Sequence, residues 1–284
     1  MVGRLRFIDQ FTVMLLDLHG TFMFRGDRFS ETENFGWTYR ELGGRALGDE
    51  EIRRLVLEVC ATMEQAYADP RYNEHFPSVW HCLEHITRPQ GLPEREVRLL
   101  ESVIAHHEVG VIPNAYAAVL RELAQTHKLG IVSNIWSTKE LYLQALERAG
   151  ICDLFDILVF SSDYGKIKPS PSLFIKALEA FAADRSQIVF VGDSLTRDIA
   201  GAKAVGLSAV WIDTGTGTVD ESVPSPDLVI QDLRELLGRQ GVWTPVPYQT
   251  GVESLNRYGK RHVHSWHRQR RARALDATSG GAGS

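Results

Sequence analysis

At 284 residues, with 44% hydrophobic and 24% charged side chains, the chain has the make-up of a soluble globular protein holding one large domain or two modest ones. Its formal net charge is −5, but seven Lys or Arg and no acid lie between Arg257 and Arg273, which leaves about −12 on the rest and argues against general nucleic-acid binding. Three scattered cysteines, Cys60, Cys82 and Cys152, form no Cys-x-x-Cys pair, and the N-terminal apolar stretch is too short to span a bilayer, so a disulfide framework, a zinc ribbon and a membrane anchor are not expected and a cytoplasmic location is.

In chain order, the first element is a short apolar run, VMLLD, that reads as a buried strand ending in Asp17. Four segments with apolar residues three or four apart follow and predict helices over Thr32–Leu42, Asp49–Ala68, Pro77–Thr87 and Pro93–His107, punctuated by Gly43-Gly44, Asp69-Pro70 and Pro89-Gln90-Gly91. From about Ile112 the pattern alternates. Helices are predicted at Asn114–Thr126, Ser137–Ala149, Ser170–Phe181, Leu195–Val205 and Asp232–Leu237, and strands in LGIVSN, FDILVFSS, QIVFVGDS, LSAVWID and DLVI.

Such alternation predicts an α/β fold, a Rossmann-like parallel sheet covered on both faces. With one strand before the helical series and the others after it, residues 1–24 and 108–240 form the core and residues 25–107 an inserted helical cap. Residues 241–284 read as a basic extension, expected to be largely solvated and disordered, with attraction of RNA or phosphate as its sharper alternative.

Parallel sheets bind ligands at the carboxyl ends of their strands. After the first strand come Asp17, His19, Gly20 and Thr21. Ser133 and Asn134 follow the second, and YGKIKP with Lys168 lies beyond the third. Gly192, Asp193, Ser194 and Asp198 follow the fourth. Taken singly these are helix caps, turn formers and surface charges; their order and spacing together are not easily produced by chance.

In that order the chain resembles the haloacid dehalogenase superfamily, in its phosphatase-like branch with a helical cap. DLHGT stands for the first motif, IVSN for the second, the lysine of GKIKPSPSLF for the third and GDSLTRD for the fourth. The resemblance implies a phosphomonoester hydrolase working through an aspartyl-phosphate. Asp17 is then the nucleophile and Lys168 its charge partner. Gly20, Ser133, Asn134 and Lys168 bind phosphate. Mg2+ is held by Asp17, the backbone carbonyl of His19 and Asp193, with Asp198 assisting. The expected partner is a small phosphorylated metabolite, and no membrane or nucleic acid.

His19 departs from the pattern, which has a second aspartate as acid and base at that position. Imidazole titrates near neutrality and is competent in the role, but it is longer and stiffer than the side chain it replaces. Either His19 supports turnover, or the enzyme favours good leaving groups or stalls as the phosphoaspartate, or the fold is a non-catalytic phosphate-binding or interaction protein; a phosphotransferase is a further alternative. Retention of Asp193 and Asp198 disfavours dehalogenation, which needs no metal. The absence of any lysine between Phe22 and Gly110 disfavours Schiff-base phosphonate chemistry. Arg25, Arg28, Arg71, Trp37, Trp80, Tyr72, His75, His81 and His85 are the cap side chains available to a leaving group; His81 and His85 share a helix face, but no further ligand is spaced for zinc, and a polar face or substrate contact is expected there instead.

Overall fold

The computed structural model describes residues 6–215 and 223–238; the basic extension, 241–284, lies outside the described residues. Six parallel strands, β1 (Val13–Leu16), β2 (Lys128–Ser133), β3 (Phe155–Phe160), β4 (Ile188–Gly192), β5 (Ser208–Ile212) and β6 (Leu228–Ile230), form one sheet in the order β3-β2-β1-β4-β5-β6. All four residues of β1 are buried, as a central strand covered on both faces requires. The pleat divides its side chains. Met14 and Leu16 join Ile131, Val189 and Val191 in one apolar cluster, while Val13 and Leu15 join Val132 and Phe190 in another.

Helices α5 (Asn114–Leu123) and α6 (Glu140–Arg148) supply the first cluster; α7 (Pro171–Leu178) and α8 (Ala200–Ala204) supply the second. The remaining helices, α1 (Phe35–Glu41), α2 (Asp49–Ala68), α3 (Val79–Thr87) and α4 (Glu94–Glu108), come between β1 and β2 in the chain and share a hydrophobic core of their own. In α2 that core takes Ile52, Leu55, Val56, Val59, Cys60 and Met63, the three-and-four spacing of one helix face. Asp49, Glu50 and Glu51 crowd its first turn, where the helix dipole favours negative charge.

Two paths join this helical block to the sheet. Phe24 and Val111 exchange both main-chain hydrogen bonds, at 2.9 and 2.7 Å, and the amides of Asp27 and Arg28 donate to the carbonyls of Glu108 and His107. This two-stranded hinge holds Arg25 and Asp27 at φ 61° and 53°, a left-handed backbone that few non-glycine residues adopt.

Several helix limits differ from the expected ones for local reasons. Asn34 and Ser78 accept from the amides of Trp37 and His81, so capping delays α1 and α3 relative to the apolar pattern. The helix expected over Asp232–Leu237 is a 3-10 turn, Leu233–Leu237, entered through an Asp232 cap. That expected over Leu195–Val205 opens with a π turn, Leu195–Ile199, before α8.

Because Leu15 is fully buried at the centre of the sheet, Leu15→Ala is expected to cost about 2–5 kcal/mol by urea denaturation. A loss below about 1 kcal/mol would mean that the cavity collapses and that β1 is not the sheet's rigid centre.

Candidate active site

Strand order decides which loops meet. β1 lies between β2 and β4, with Leu16 in register with Ile131 on one side and Val191 on the other. The loops leaving these strands therefore emerge side by side at the point where the winding of the sheet reverses, which is where a crevice opens. Asp17 leaves β1, Ser133 ends β2 and Asp193 follows β4.

Carboxylate oxygens of Asp17, Asp193 and Asp198 all lie within 4.8 Å of one another. Lys168 Nζ stands 2.7 Å from Asp17 Oδ1 and 2.6 Å from Asp198 Oδ1. The Ser133 hydroxyl donates to Asp17 Oδ1 at 2.7 Å. Ser133, Lys168 and Asp198 are buried. The loop bearing Lys168 is held by Asn134, whose Oδ1 accepts from the Lys168 amide at 2.8 Å. The Ser194 amide donates to Asp198 Oδ2 at 3.0 Å, and Trp211 Nε1 donates to the Asp193 carbonyl at 3.0 Å.

Two glycines make the crowding possible. Gly20 has φ +71°, and a Cβ there would stand 2.0 Å from Asp193 Oδ2; one on Gly192 would stand 2.4 Å from Asp198 Oδ2. Burial pushes the Asp193 carboxyl well up, and the neighbouring Asp198 and Asp17 push it further. Asp198 is raised by burial as well, and the Lys168 ammonium only partly offsets this. Burial alone would lower Lys168, but the Asp17 and Asp198 carboxylates outweigh it and hold its pKa above the ordinary value.

Three carboxylates thus face a single buried ammonium. An all-oxygen donor set with surplus negative charge fits a hard divalent cation such as Mg2+. Among the described residues this is the one group of three or more metal-competent side chains so close together. His81 and His85 are exposed on α3 and gather no such set.

His19 sets its ring between Tyr142 and Asp27. Its Nε2 lies 3.1 Å from the hydroxyl of Tyr142, a fully buried residue of α6, and its Nδ1 lies 3.8 Å from Asp27 Oδ2. Burial lowers its pKa; Glu108 and Asp17 oppose that shift and Lys168 adds to it. Glu108 is itself buried at the end of α4, where it accepts from the amides of Trp136 and Ser137 and adjoins Tyr142. Asp27 is raised to about 6 by desolvation in the cleft, then by Glu64 and Asp17. Its side chain remains 63% exposed, so water screens much of that push.

The structure brings Asp17, Ser133, Asn134, Lys168, Asp193 and Asp198 together from four separate stretches of chain, with Gly20 beneath Asp193. Several expected cap contacts point elsewhere. Arg28 donates to the His106 carbonyl, Arg71 pairs with Asp69, and Trp80 lies under the Arg98 guanidinium. Trp37 is 59% exposed on α1. The helical block instead approaches the site through Tyr67, whose hydroxyl accepts from Asn134 Nδ2 at 3.2 Å, and through Phe29, stacked on Trp136. Tyr67, Glu108 and Tyr142 were not legible as site residues, because no sequence spacing relates them to the motifs; Arg197 lies within GDSLTRD, but nothing in the motif marks it for a role.

A family model described as haloacid dehalogenase-like hydrolase matches residues 52–212, more than half of the chain; the match begins after the Asp17–Thr21 segment. Glyceraldehyde 3-phosphate phosphatase of Pyrococcus abyssi is 32% identical over 162 residues, covering 54% of this chain and 66% of the relative. Phosphoserine phosphatase of Thermus thermophilus is 32% identical over 154 residues, covering 54% and 61%. The chain thus spans less than two thirds of the length of either relative. A 2-haloacid dehalogenase of Pseudomonas syringae shares the fold, with a TM-score of 0.57 at 23% identity over 80% of this chain and 96% of that one. With the family model and the strand-end acids in agreement, the chain belongs to the haloacid dehalogenase-like hydrolases.

Proposed function

We propose that the chain is a Mg2+-dependent phosphomonoester hydrolase that works through a phosphorylated Asp17 and acts on a small phosphorylated metabolite. The observation that carries this reading is the Lys168 ammonium held between Asp17 and Asp198 while Asp193 completes a trio of carboxylates. Dehalogenation uses an aspartate nucleophile too, but it gives Asp193 and Asp198 nothing to bind. Asp198 is buried and Asp193 half-buried, and their carboxyl pKa values, pushed upward, make sense for a site that receives a cation. The two named phosphatases favour the same reading and the same class of substrate.

Asp17, Asp193, the His19 carbonyl and Asp198 would hold the cation, which supplies positive charge opposite the phosphoryl oxygens. Ser133 and Lys168 fix the orientation of the Asp17 carboxylate from one side. The Asp17 oxygen attacks phosphorus, the alcohol departs with its oxygen and takes up a proton, and an acyl phosphate remains. Water then cleaves the phosphorus–oxygen bond, releasing inorganic phosphate and restoring Asp17. The Lys168 ammonium offsets charge that builds on the phosphoryl group in both steps. Gly20 lets the main chain approach closely, and the Ser133 and Asn134 segment offers donors to phosphate. The helical block, residues 25–107, acts as a cap that excludes water and contacts the leaving group.

His19 serves the two steps unequally. Burial lowers its pKa and so favours the neutral ring, and its Nε2 lies 3.1 Å from the Tyr142 hydroxyl. A neutral imidazole is suited to taking a proton from the attacking water and poorly suited to giving one to a leaving alkoxide. Substrates with good leaving groups are therefore favoured.

Three outcomes are expected. Aryl phosphate turnover requires Mg2+ and is abolished in Asp17→Asn, and acid-quenched wild type carries about 80 Da that the variant lacks; equal activity in the two proteins would exclude Asp17 as nucleophile. His19→Asp raises kcat for alkyl phosphates by about 10²–10⁴-fold while changing acetyl phosphate turnover little; a uniform rise or fall would show that His19 is not the element limiting leaving-group departure. The third outcome concerns protons and metal. Asp193 and Asp198 have folded-state pKa values above their unfolded ones, so the metal-free chain gains stability as pH falls through the raised values and loses it as pH rises through them. Calorimetry in two buffers should show proton release on Mg2+ binding, and Mg2+ should raise Tm more at mildly alkaline than at mildly acidic pH. A pH-independent Tm shift without proton release would mean that the cation binds elsewhere.

A further inference from the structure

Opposite the two-stranded hinge, the helical block and the sheet meet along a second seam that runs through the Lys168 segment. The Phe76 amide donates to the Gly165 carbonyl at 2.7 Å, and the Ile167 amide donates to the Asn73 carbonyl at 2.9 Å. The side chain of Ile167, fully buried, packs into the core of the helical block although its neighbour Lys168 belongs to the acid cluster. Lys166 pairs with Glu74 at 2.9 Å along the same seam.

Arg197 sits at the centre of this seam. Its Nη1 donates to the Lys168 carbonyl at 2.8 Å and to Asn73 Oδ1 at 2.7 Å, and its Nη2 donates to the Tyr67 carbonyl. The guanidinium carbon lies 4.2 Å from the centre of the Tyr67 ring. One planar cation thus joins the end of α2, the loop after it and the main chain of the lysine, while its neighbour Asp198 holds the ammonium of that same lysine. A lysine in its place would offer its three donors from one nitrogen instead of two and would lack the planar face that lies over Tyr67.

We propose that Arg197 is a positioning residue that clasps the helical block to the Lys168 segment, so that seating of the block and placement of the catalytic ammonium are one event. The inference adds to the phosphatase reading, on which only its kinetic arm rests.

The test is native-state hydrogen exchange on the full chain, with Arg197→Ala, Arg197→Lys and Asn73→Ala beside wild type. Amides of Phe76 and Ile167 should exchange at least about tenfold faster in Arg197→Ala, with β4 amides unchanged. Asn73→Ala, which leaves Arg197 and the acids in place, should give the same local pattern in smaller measure. Unchanged exchange at Phe76 and Ile167 in both alanine variants would overturn the clasp. Acceleration spread equally over β4 would also overturn it, by making Arg197 a general stabiliser; if Arg197→Ala fails to fold, the other two variants decide on the same criteria.

In the kinetic arm, kcat for aryl phosphate should fall about 10²-fold in Arg197→Ala, as a misplaced catalytic group predicts, while Mg2+ affinity stays within about threefold and Arg197→Lys recovers part of the loss. An equal loss of Mg2+ affinity and kcat would mean that the whole site, not the lysine, has been disturbed. Should wild type itself show no turnover, the phosphatase reading fails and the exchange result still decides the clasp.

Discussion

An ammonium buried between two carboxylates is the interaction on which the rest of this site depends. Lys168 lies within 2.7 Å of both Asp17 and Asp198, sheltered from water. Burying such ions is costly, and removing one partner of a buried pair typically costs about 3–5 kcal/mol because the other is left uncompensated. The arrangement is therefore held by its surroundings: the Ser133 hydroxyl on Asp17, the Ser194 amide on Asp198 and the Asn134 side chain on the lysine's own amide. With Asp193 added, the acids outnumber the buried cation, and their mutual repulsion favours binding of a proton or another positive charge.

The fold delivers these groups through strand order. Because β1 is flanked by β2 and β4, residues more than a hundred positions apart in the chain leave the sheet at adjacent points. The helical block enters directly after the first of these points and returns before the second, and hydrogen bonds at two seams join it to the core. Closeness at the bottom of the crevice then depends on the missing side chains of Gly20 and Gly192.

Much of this was legible in the sequence. Asp17, Ser133 and Asp193 each stand at the end of an apolar run, and a parallel sheet aims such residues into one crevice; Lys168 is marked by the proline that follows it. The alternation from Ile112 onward likewise foretold the sheet, and the long apolar stripe of α2 foretold its limits. What escaped is of one kind. His19 was read against the acids, whereas its ring partner, Tyr142, sits on a helix 123 residues away. Arg197 stands beside Asp198 in GDSLTRD with nothing to single it out, and its partners on the helical block are 124 and 130 residues away. Periodicity registers which face of an element is apolar; it holds no record of which polar side chains find each other once elements pack. The π turn at Leu195–Ile199 was missed for a related reason, since a widened turn differs from an ordinary one by a single hydrogen-bond step and leaves the apolar spacing nearly intact.

That widened turn has a geometric result. Consecutive residues of a regular helix are rotated far apart around its axis, yet Arg197 and Asp198 take hold of one residue at its two extremities, the carbonyl oxygen and the terminal nitrogen of Lys168. The turn works as a caliper whose jaws are two adjacent side chains, and the object it gauges is the span from the carbonyl to the tip of a four-methylene arm. A positive charge on any shorter or bulkier arm would leave one jaw open, so the fold selects at this position for a length as well as for a charge.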